Sequence, residues 1–206
     1  MTQPIKNSII AAFDFDNTFI DRDSLLPFLF YMHGRWKASY HLFALMPDFL
    51  RYILNKISRQ EIKEKILTRF MKGYSFSHVS ELGNQYAKNN LDRYVKPDAL
   101  KCLQWHQSQG HRCLLVSASL DFYLTPWANR HGFEKVICSR LEINASGDIT
   151  GKLAGSNCWG PEKKYRLLSY LGPKENYQLY AYGDSQGDLD MLEIADYPFY
   201  RTFPSH

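Results

Sequence analysis

Ser8-Ile9-Ile10-Ala11-Ala12-Phe13-Asp14-Phe15-Asp16-Asn17-Thr18 is the stretch on which the fold turns. Residues 8–13 form a short, nearly continuous apolar run without polar alternation, the pattern of a strand buried on both faces of a parallel sheet. The run stops at two carboxylates one residue apart. A buried strand end has no structural use for two acids that repel each other. In open parallel sheets ligands bind beyond the carboxyl ends of the strands, so Asp14 and Asp16 fall where a ligand is expected.

Working outward, the C-terminal side repeats this theme. Residues 113–116 (Cys-Leu-Leu-Val) read as a strand ending at Ser117, residues 136–138 as a short strand, and residues 177–182 as a strand ending at Gly183-Asp184. Residues 98–109 read as a helix stopped by Gly110. Residues 161–171 form a helix with Pro161 in its first turn, and residues 188–194 another. A hairpin-like turn, Asn144-Ala145-Ser146-Gly147-Asp148, separates short strands within 141–153, and a last strand falls near 197–200. No element is assigned between 120 and 135. Alternating strands and helices imply an α/β fold, a Rossmann-like parallel sheet with helices on both faces.

Residues 24–92 break the alternation and read as helical throughout. Leu25, Leu26, Phe28, Leu29 and Met32 make an apolar stripe. Ser58 with Glu61 three residues on makes a capping box, after which Ile62, Ile66, Leu67 and Phe70 recur at helical spacing, with Lys63, Glu64 and Lys65 outward. Residues 77–90 add a further helix. The simplest organisation is a core of residues 1–20 and 93–206 with a helical insertion, 21–92, between its first two strands.

Composition excludes several classes. The 206 residues are 45% hydrophobic with a net charge of +4, enough apolar content for a core and too little charge for disorder. The basic excess is spread along the chain, so no nucleic-acid footprint is present. Cys102, Cys113, Cys138 and Cys158 match neither a zinc pattern nor a disulfide scaffold, which points to reduced thiols and a cytoplasmic location. The first apolar run is broken at once by Asp14, so it reads as no signal peptide, and no stretch is long enough to span a bilayer. The histidines form no ligand pair at helical spacing and read as surface or partly buried side chains.

Three strand ends therefore bring Asp14 and Asp16, Ser117 and Ser119, and Asp184 with Asp188 to one rim, and Lys163 and Lys164 start a helix beside it. Acids gathered this closely need a cation, and oxygen donors suit a hard, partly hydrated ion such as Mg2+. Such an ion also lets a phosphate approach carboxylates. For Asp188, capping of the following helix is the competing explanation.

These residues resemble the haloacid dehalogenase superfamily, in its phosphoserine-phosphatase-like branch with a helical cap. Asp14-Phe15-Asp16-Asn17-Thr18 resembles the first motif, Val116-Ser117-Ala118-Ser119 the second, Lys163 in Gly160-Pro161-Glu162-Lys163 the third, and Gly183-Asp184-Ser185-Gln186-Gly187-Asp188 the fourth, in family order. The resemblance implies that Asp14 is the nucleophile that takes the phosphoryl group. Asp16 protonates the leaving alkoxide and then activates water. Mg2+ is held by the side chains of Asp14 and Asp184 and the backbone carbonyl of Asp16. Ser117, the Ala118 amide and Lys163 hold the phosphoryl oxygens, and Asp188 holds Lys163 or a metal-bound water. Lys163 is preferred over its neighbour Lys164 by its spacing from Gly160. Thr18 bonds within the turn or touches substrate.

The insertion resembles the cap of that branch, which closes over the site and contributes substrate contacts. Asp23 lies nine residues after Asp14, where phosphoserine phosphatases carry an acid for the substrate amine; the other reading makes it an N-cap. Aromatic and bulky apolar residues of the cap, interleaved with Arg35, Lys37, Arg51 and Lys56, read either as helical core with solvated charges or as a face for a membrane surface or a lipid phosphate. The function implied is a Mg2+-dependent phosphomonoesterase acting through an aspartyl-phosphate on a small or lipid-linked phosphate ester. A phosphotransferase using the same intermediate and a non-catalytic phosphate-binding module are the alternatives.

Overall fold

The computed structural model describes residues 8–204. Residues 1–7 and 205–206, part of the expected core, lie outside the described residues. Five strands, β1 (Ser8–Phe13), β2 (Arg112–Leu120), β3 (Lys135–Ser139), β6 (Tyr177–Gly183) and β7 (Tyr197–Tyr200), pair in parallel in the order β3-β2-β1-β6-β7. The remaining two, β4 (Leu141–Ile143) and β5 (Ile149–Leu153), form the antiparallel hairpin expected from the Asn144–Asp148 turn.

The continuous apolar reading of β1 has a direct structural cause. Ala11 and Phe13 face one core cluster, while Ile10 and Ala12 face the other, so every side chain from Ile10 to Phe13 is buried. The first cluster takes in α6 (Pro97–Ser108) and α7 (Asp121–Arg130) through Cys102, Leu103 and Trp127. The second takes in α8 (Pro161–Leu171) and α9 (Leu189–Glu193) through Leu167 and Met191. Burying each such large apolar side chain contributes about 1.5–3 kcal/mol. His106, expected near the surface, is fully buried on this sheet face, with its Nε2 2.8 Å from the Tyr182 hydroxyl.

Two differences from the sequence expectation stand out. β2 continues past Ser117 to Leu120, because Ser117 and Ser119 are small and the Ser117 hydroxyl accepts the Ser119 amide at 3.0 Å, so both fit buried. Residues 121–130 form α7 despite Pro126. That proline removes one helical hydrogen bond, to the Phe122 carbonyl, and burial of Phe122, Tyr123, Leu124, Trp127 and Ala128 outweighs the loss.

Residues between β1 and β2 form α1 (Leu25–His33), α2 (Arg35–Ala44), α3 (Met46–Ile53), α4 (Arg59–Met71) and α5 (Phe76–Asn89). The capping box at α4 is present: Ser58 Oγ accepts the Glu61 amide at 3.1 Å, and the Glu61 carboxylate accepts the Ser58 amide at 2.7 Å. These helices share the first core cluster with the sheet. At Gly83 of α5 a Cβ would fall 2.4 Å from the Phe122 ring of α7, so the two helices touch backbone to side chain. On the other side, α4 lies along the hairpin, where the Leu153 amide bonds Glu64 at 3.3 Å and Thr68 bonds the Gly151 carbonyl at 3.2 Å. Among the described residues no helix is long and apolar enough to cross a membrane.

Candidate active site

The carboxyl ends of β1, β2 and β6 meet at one rim. After Phe13 the chain leaves the sheet with the Asp14 amide still bonded to the Tyr182 carbonyl at 2.9 Å, which fixes the Asp14 side chain at the strand tip. It then turns through Asn17, whose φ of +59° is a left-handed conformation that Asn tolerates. This turn sets Thr18 back beneath the acids: its hydroxyl lies 2.8 Å from Asp14 Oδ2 and 3.0 Å from Asp184 Oδ1. Thr18 thus bridges two carboxylates rather than bonding the turn backbone.

Lys163, in the first turn of α8, is 2% exposed. Its ammonium sits 2.5 Å from Asp14 Oδ1 and 2.6 Å from Asp188 Oδ1. Burial alone would favour losing the proton; the charges of Asp14 and Asp188 outweigh it and hold the amine well above its usual range. Lys164 points away and pairs with Glu193 at 2.8 Å on the surface. Asp188 is fully buried. Its second oxygen accepts the Ser185 amide at 3.0 Å and hydroxyl at 2.8 Å, so despite burial the Lys163 charge and these bonds keep the carboxyl below the usual range. Gly183 makes this packing feasible, since a Cβ there would fall 2.4 Å from the Asp188 Cβ.

Asp14 and Asp16 behave differently from Asp188. Burial pushes the Asp14 carboxyl up to about 6, against the pull of Lys163. Burial, reinforced by the charge of Asp23, pushes Asp16 up to about 7. Asp16 turns away from the other acids: Oδ1 accepts the Ser24 amide at 2.8 Å, and Oδ2 accepts the Ser119 hydroxyl. Ser119 continues into a buried chain, with Ser24 Oγ 2.9 Å away and the Tyr123 hydroxyl 3.0 Å beyond it.

Asp14, Asp184 and Asp188 each offer an oxygen within 4.8 Å of the others. Asp188 is fully buried and does not border the cavity at the rim, whereas Asp14 and Asp184 do, which leaves these two as the carboxylates an ion could reach. A hard divalent cation fits these donors, because one lysine does not balance three acids. The Asp16 carboxylate is not part of this group; the sequence expectation there concerned its backbone carbonyl.

Asp14, Asp16 and Asp184 line a cavity of about 250 Å3 that also takes in Ser117, Ala118, Lys163 and Asp23. A second cavity of about 250 Å3 adjoins it through Asp16, Asp23, Arg59 and Ala118, and is walled by Leu25, Phe49, Tyr52, Ile62 and Ile66. Asp23 borders both, and its Oδ1 also accepts the Leu26 amide at 3.0 Å, the capping geometry of the competing reading. Sequence reasoning missed three residues of this annex. Lys63, expected to point outward, instead turns inward and donates to the Ala118 carbonyl and, at 2.9 Å, to Asn157 Oδ1. Its ordinary value of 10.5 falls to about 8, chiefly through burial, with Asp16 and Asp23 opposing. Arg59 lies 4.8 Å from the Trp159 ring centroid and borders both cavities. The capping box carried the missing signal: with Ser58 fixed as N-cap, Arg59 and Lys63 share one side of the first turns of α4.

Comparison with known proteins agrees with this geometry. Residues 11–193 match the family model described as haloacid dehalogenase-like hydrolase. Protein CicA of Caulobacter vibrioides is 33% identical over 196 residues, covering 95% of this chain and 86% of that protein. The histidinol-phosphatase of Neisseria meningitidis serogroup C is 26% identical, covering 92% of this chain and 88% of that protein. Among solved structures, a Bordetella pertussis Tohama I protein of unknown function superposes with a TM-score of 0.77 at 23% identity, over 91% of this chain and 87% of that one.

Proposed function

The chain belongs to the haloacid dehalogenase-like hydrolases, and from that premise we propose that it is a Mg2+-dependent phosphatase that works through an aspartyl-phosphate on Asp14. The observation that carries this reading is the buried Asp14–Lys163–Asp188 array at the strand tips, with Asp184 alongside. A binding module has no need of a carboxylate held in place by a lysine and a threonine.

A Mg2+ ion held by Asp14, Asp184 and the Asp16 carbonyl would supply positive charge against the phosphate oxygens. Asp14 attacks phosphorus, and the bond from phosphorus to the leaving oxygen breaks. The Asp16 carboxyl, which burial raises to about 7 so that a protonated fraction persists at neutral pH, gives its proton to the leaving alkoxide. In the second half-reaction the Asp16 carboxylate takes a proton from water, the water oxygen bonds to phosphorus, and the bond to Asp14 breaks, releasing phosphate. Ser117 and the Ala118 amide hold phosphoryl oxygens, and Lys163, locked by Asp188, holds charge that need not reorganise.

The alcohol part of the ester would lie in the annex, lined by Phe49, Tyr52 and Ile62 together with Lys63 and Arg59. We read residues 21–92 as the cap and the substrate as a small or lipid-linked phosphate monoester. The four free, buried cysteines fit the reducing cytoplasm. The test is hydrolysis of p-nitrophenyl phosphate with Mg2+, with EDTA and by Asp14→Asn. Turnover only in the first condition is expected; metal-independent turnover discards the mechanism.

A further inference from the structure

The helices between β1 and β2 carry an apolar face that nothing in the fold covers. On α2, Trp36, Tyr40 and Phe43 recur at the i, i+4, i+7 spacing with which a helix normally docks on its neighbours. On α3, Met46, Leu50 and Ile53 repeat that spacing. All six are between 57% and 92% exposed. The opposite sides of these helices are the ones used by the fold: Ala38 and Leu45 are buried, and Phe49 and Tyr52 wall the annex. Single exposed apolar side chains are ordinary, but ridges of large ones on two consecutive helices mark an interaction surface.

Charge selects what covers it. Arg35 and Lys37 flank Trp36, Arg51 lies on α3 and Lys56 just after it, and all four are exposed. Between residues 24 and 57 the one acid is Asp48, which is already engaged by Lys65 at 3.1 Å and Arg51 at 3.7 Å. The ridges therefore sit in a positive rim. A second copy docking about a two-fold axis would set this rim against itself, and lysine is depleted from protein interface cores. An anionic bilayer meets both features. Its acyl boundary accepts the ridges, and its headgroup phosphates accept Arg and Lys whose stems lie along the apolar surface.

We infer that the α2–α3 face docks the protein on the surface of an anionic lipid bilayer, with both helices lying in the interface plane. Phe49 and Tyr52 of α3 line the annex, so docking would bring the substrate cavity within about one helix diameter, roughly 10 Å, of the lipid surface. The inference rests on the shape and charge of this face and does not depend on the catalytic reading.

Vesicle flotation of the full chain, without substrate, tests it. Vesicles of phosphatidylcholine alone are compared with equal parts phosphatidylcholine and phosphatidylglycerol, at low and high salt. Flotation with the mixed vesicles is expected, at least about tenfold tighter than with the neutral ones and weakened by salt. The double variant Trp36→Ser, Ile53→Ser should lose about tenfold or more in affinity while keeping its thermal midpoint and its turnover of p-nitrophenyl phosphate. Arg35→Glu with Lys37→Glu should lose the preference for the anionic vesicles. Asp14→Asn should float like the wild type, so failure of the catalytic reading leaves this result standing. Absence of flotation at low salt with mixed vesicles overturns the inference. So does a concentration-dependent dimer that the Trp36→Ser, Ile53→Ser variant dissolves, since that assigns the face to a second copy.

Discussion

Two lysines reach the adjoining cavities from different elements, one in each, and their surroundings act on them in opposite senses. Lys163 comes from the sheet side and sits between two carboxylates, which hold its proton against the effect of burial. Lys63 comes from the helical insertion and meets two neutral oxygens, those of Ala118 and Asn157, so burial prevails and its proton is held only up to about pH 8. The sheet wall thus carries charge that folding has already paired and fixed, as phosphoryl transfer requires. The insertion wall carries charge that an incoming anion can complete. Under the proposed function, chemistry and selectivity are divided between the two walls.

The largest expected effect removes what the sheet wall is arranged to hold. EDTA should take p-nitrophenyl phosphate hydrolysis to background and Mg2+ should restore it, with the far-ultraviolet circular dichroism unchanged throughout. Retained turnover in EDTA would detach the acids from a metal role. Next comes Lys163→Met, which leaves Asp14 and Asp188 buried without their cation. A loss of about 3–5 kcal/mol in denaturant-measured stability is expected, with turnover down by about 10^3-fold. A wild-type midpoint for this variant would contradict the pairing described for that wall.

Lys63→Met should be much milder: about 1–3 kcal/mol, from the Ala118 carbonyl left without its Lys63 donor while Asn157 Oδ1 keeps the Ser139 hydroxyl at 3.0 Å, and a rise in KM that exceeds any fall in kcat. Its pH signature has a definite sign. The folded value near 8 lies below the ordinary 10.5, so between these values the unfolded chain binds the extra proton. Wild-type stability should therefore rise relative to Lys63→Met as pH climbs through that window. A flat difference would show that Lys63 is not desolvated. The smallest effect is expected from Ser58→Ala, about 1 kcal/mol of stability from the α4 cap, with a modest increase in KM as Arg59 and Lys63 lose their anchored turn.

The same division explains what could be read from the sequence. The sheet was legible because β1 is buried on both faces and says so by its unbroken apolar run. Asp14, Asp16 and Asp184 were visible as acids at strand tips, where sterics and topology leave them no other use. α7 was not legible, because Thr125-Pro126 reads as a breaker and the compensating burial of Tyr123 and Trp127 arises only in tertiary contact. The annex was hidden for a related reason. Lys63, Arg59 and Asn157 come from two separate segments, and only the packing of α4 along the β4–β5 hairpin brings them to one wall. Thr18 was expected to bond within the turn or to touch substrate, whereas the left-handed Asn17 carries it beneath two carboxylates.

The central claim is that Asp14 carries the phosphoryl group during turnover. Acid-quenching the enzyme in mid-turnover and mapping the phosphopeptide by mass spectrometry tests it most directly. The account predicts a hydroxylamine-sensitive phosphoryl group on Asp14 that is absent from Asp14→Asn. A phosphoryl group on any other residue, or undiminished turnover by Asp14→Asn, would contradict it.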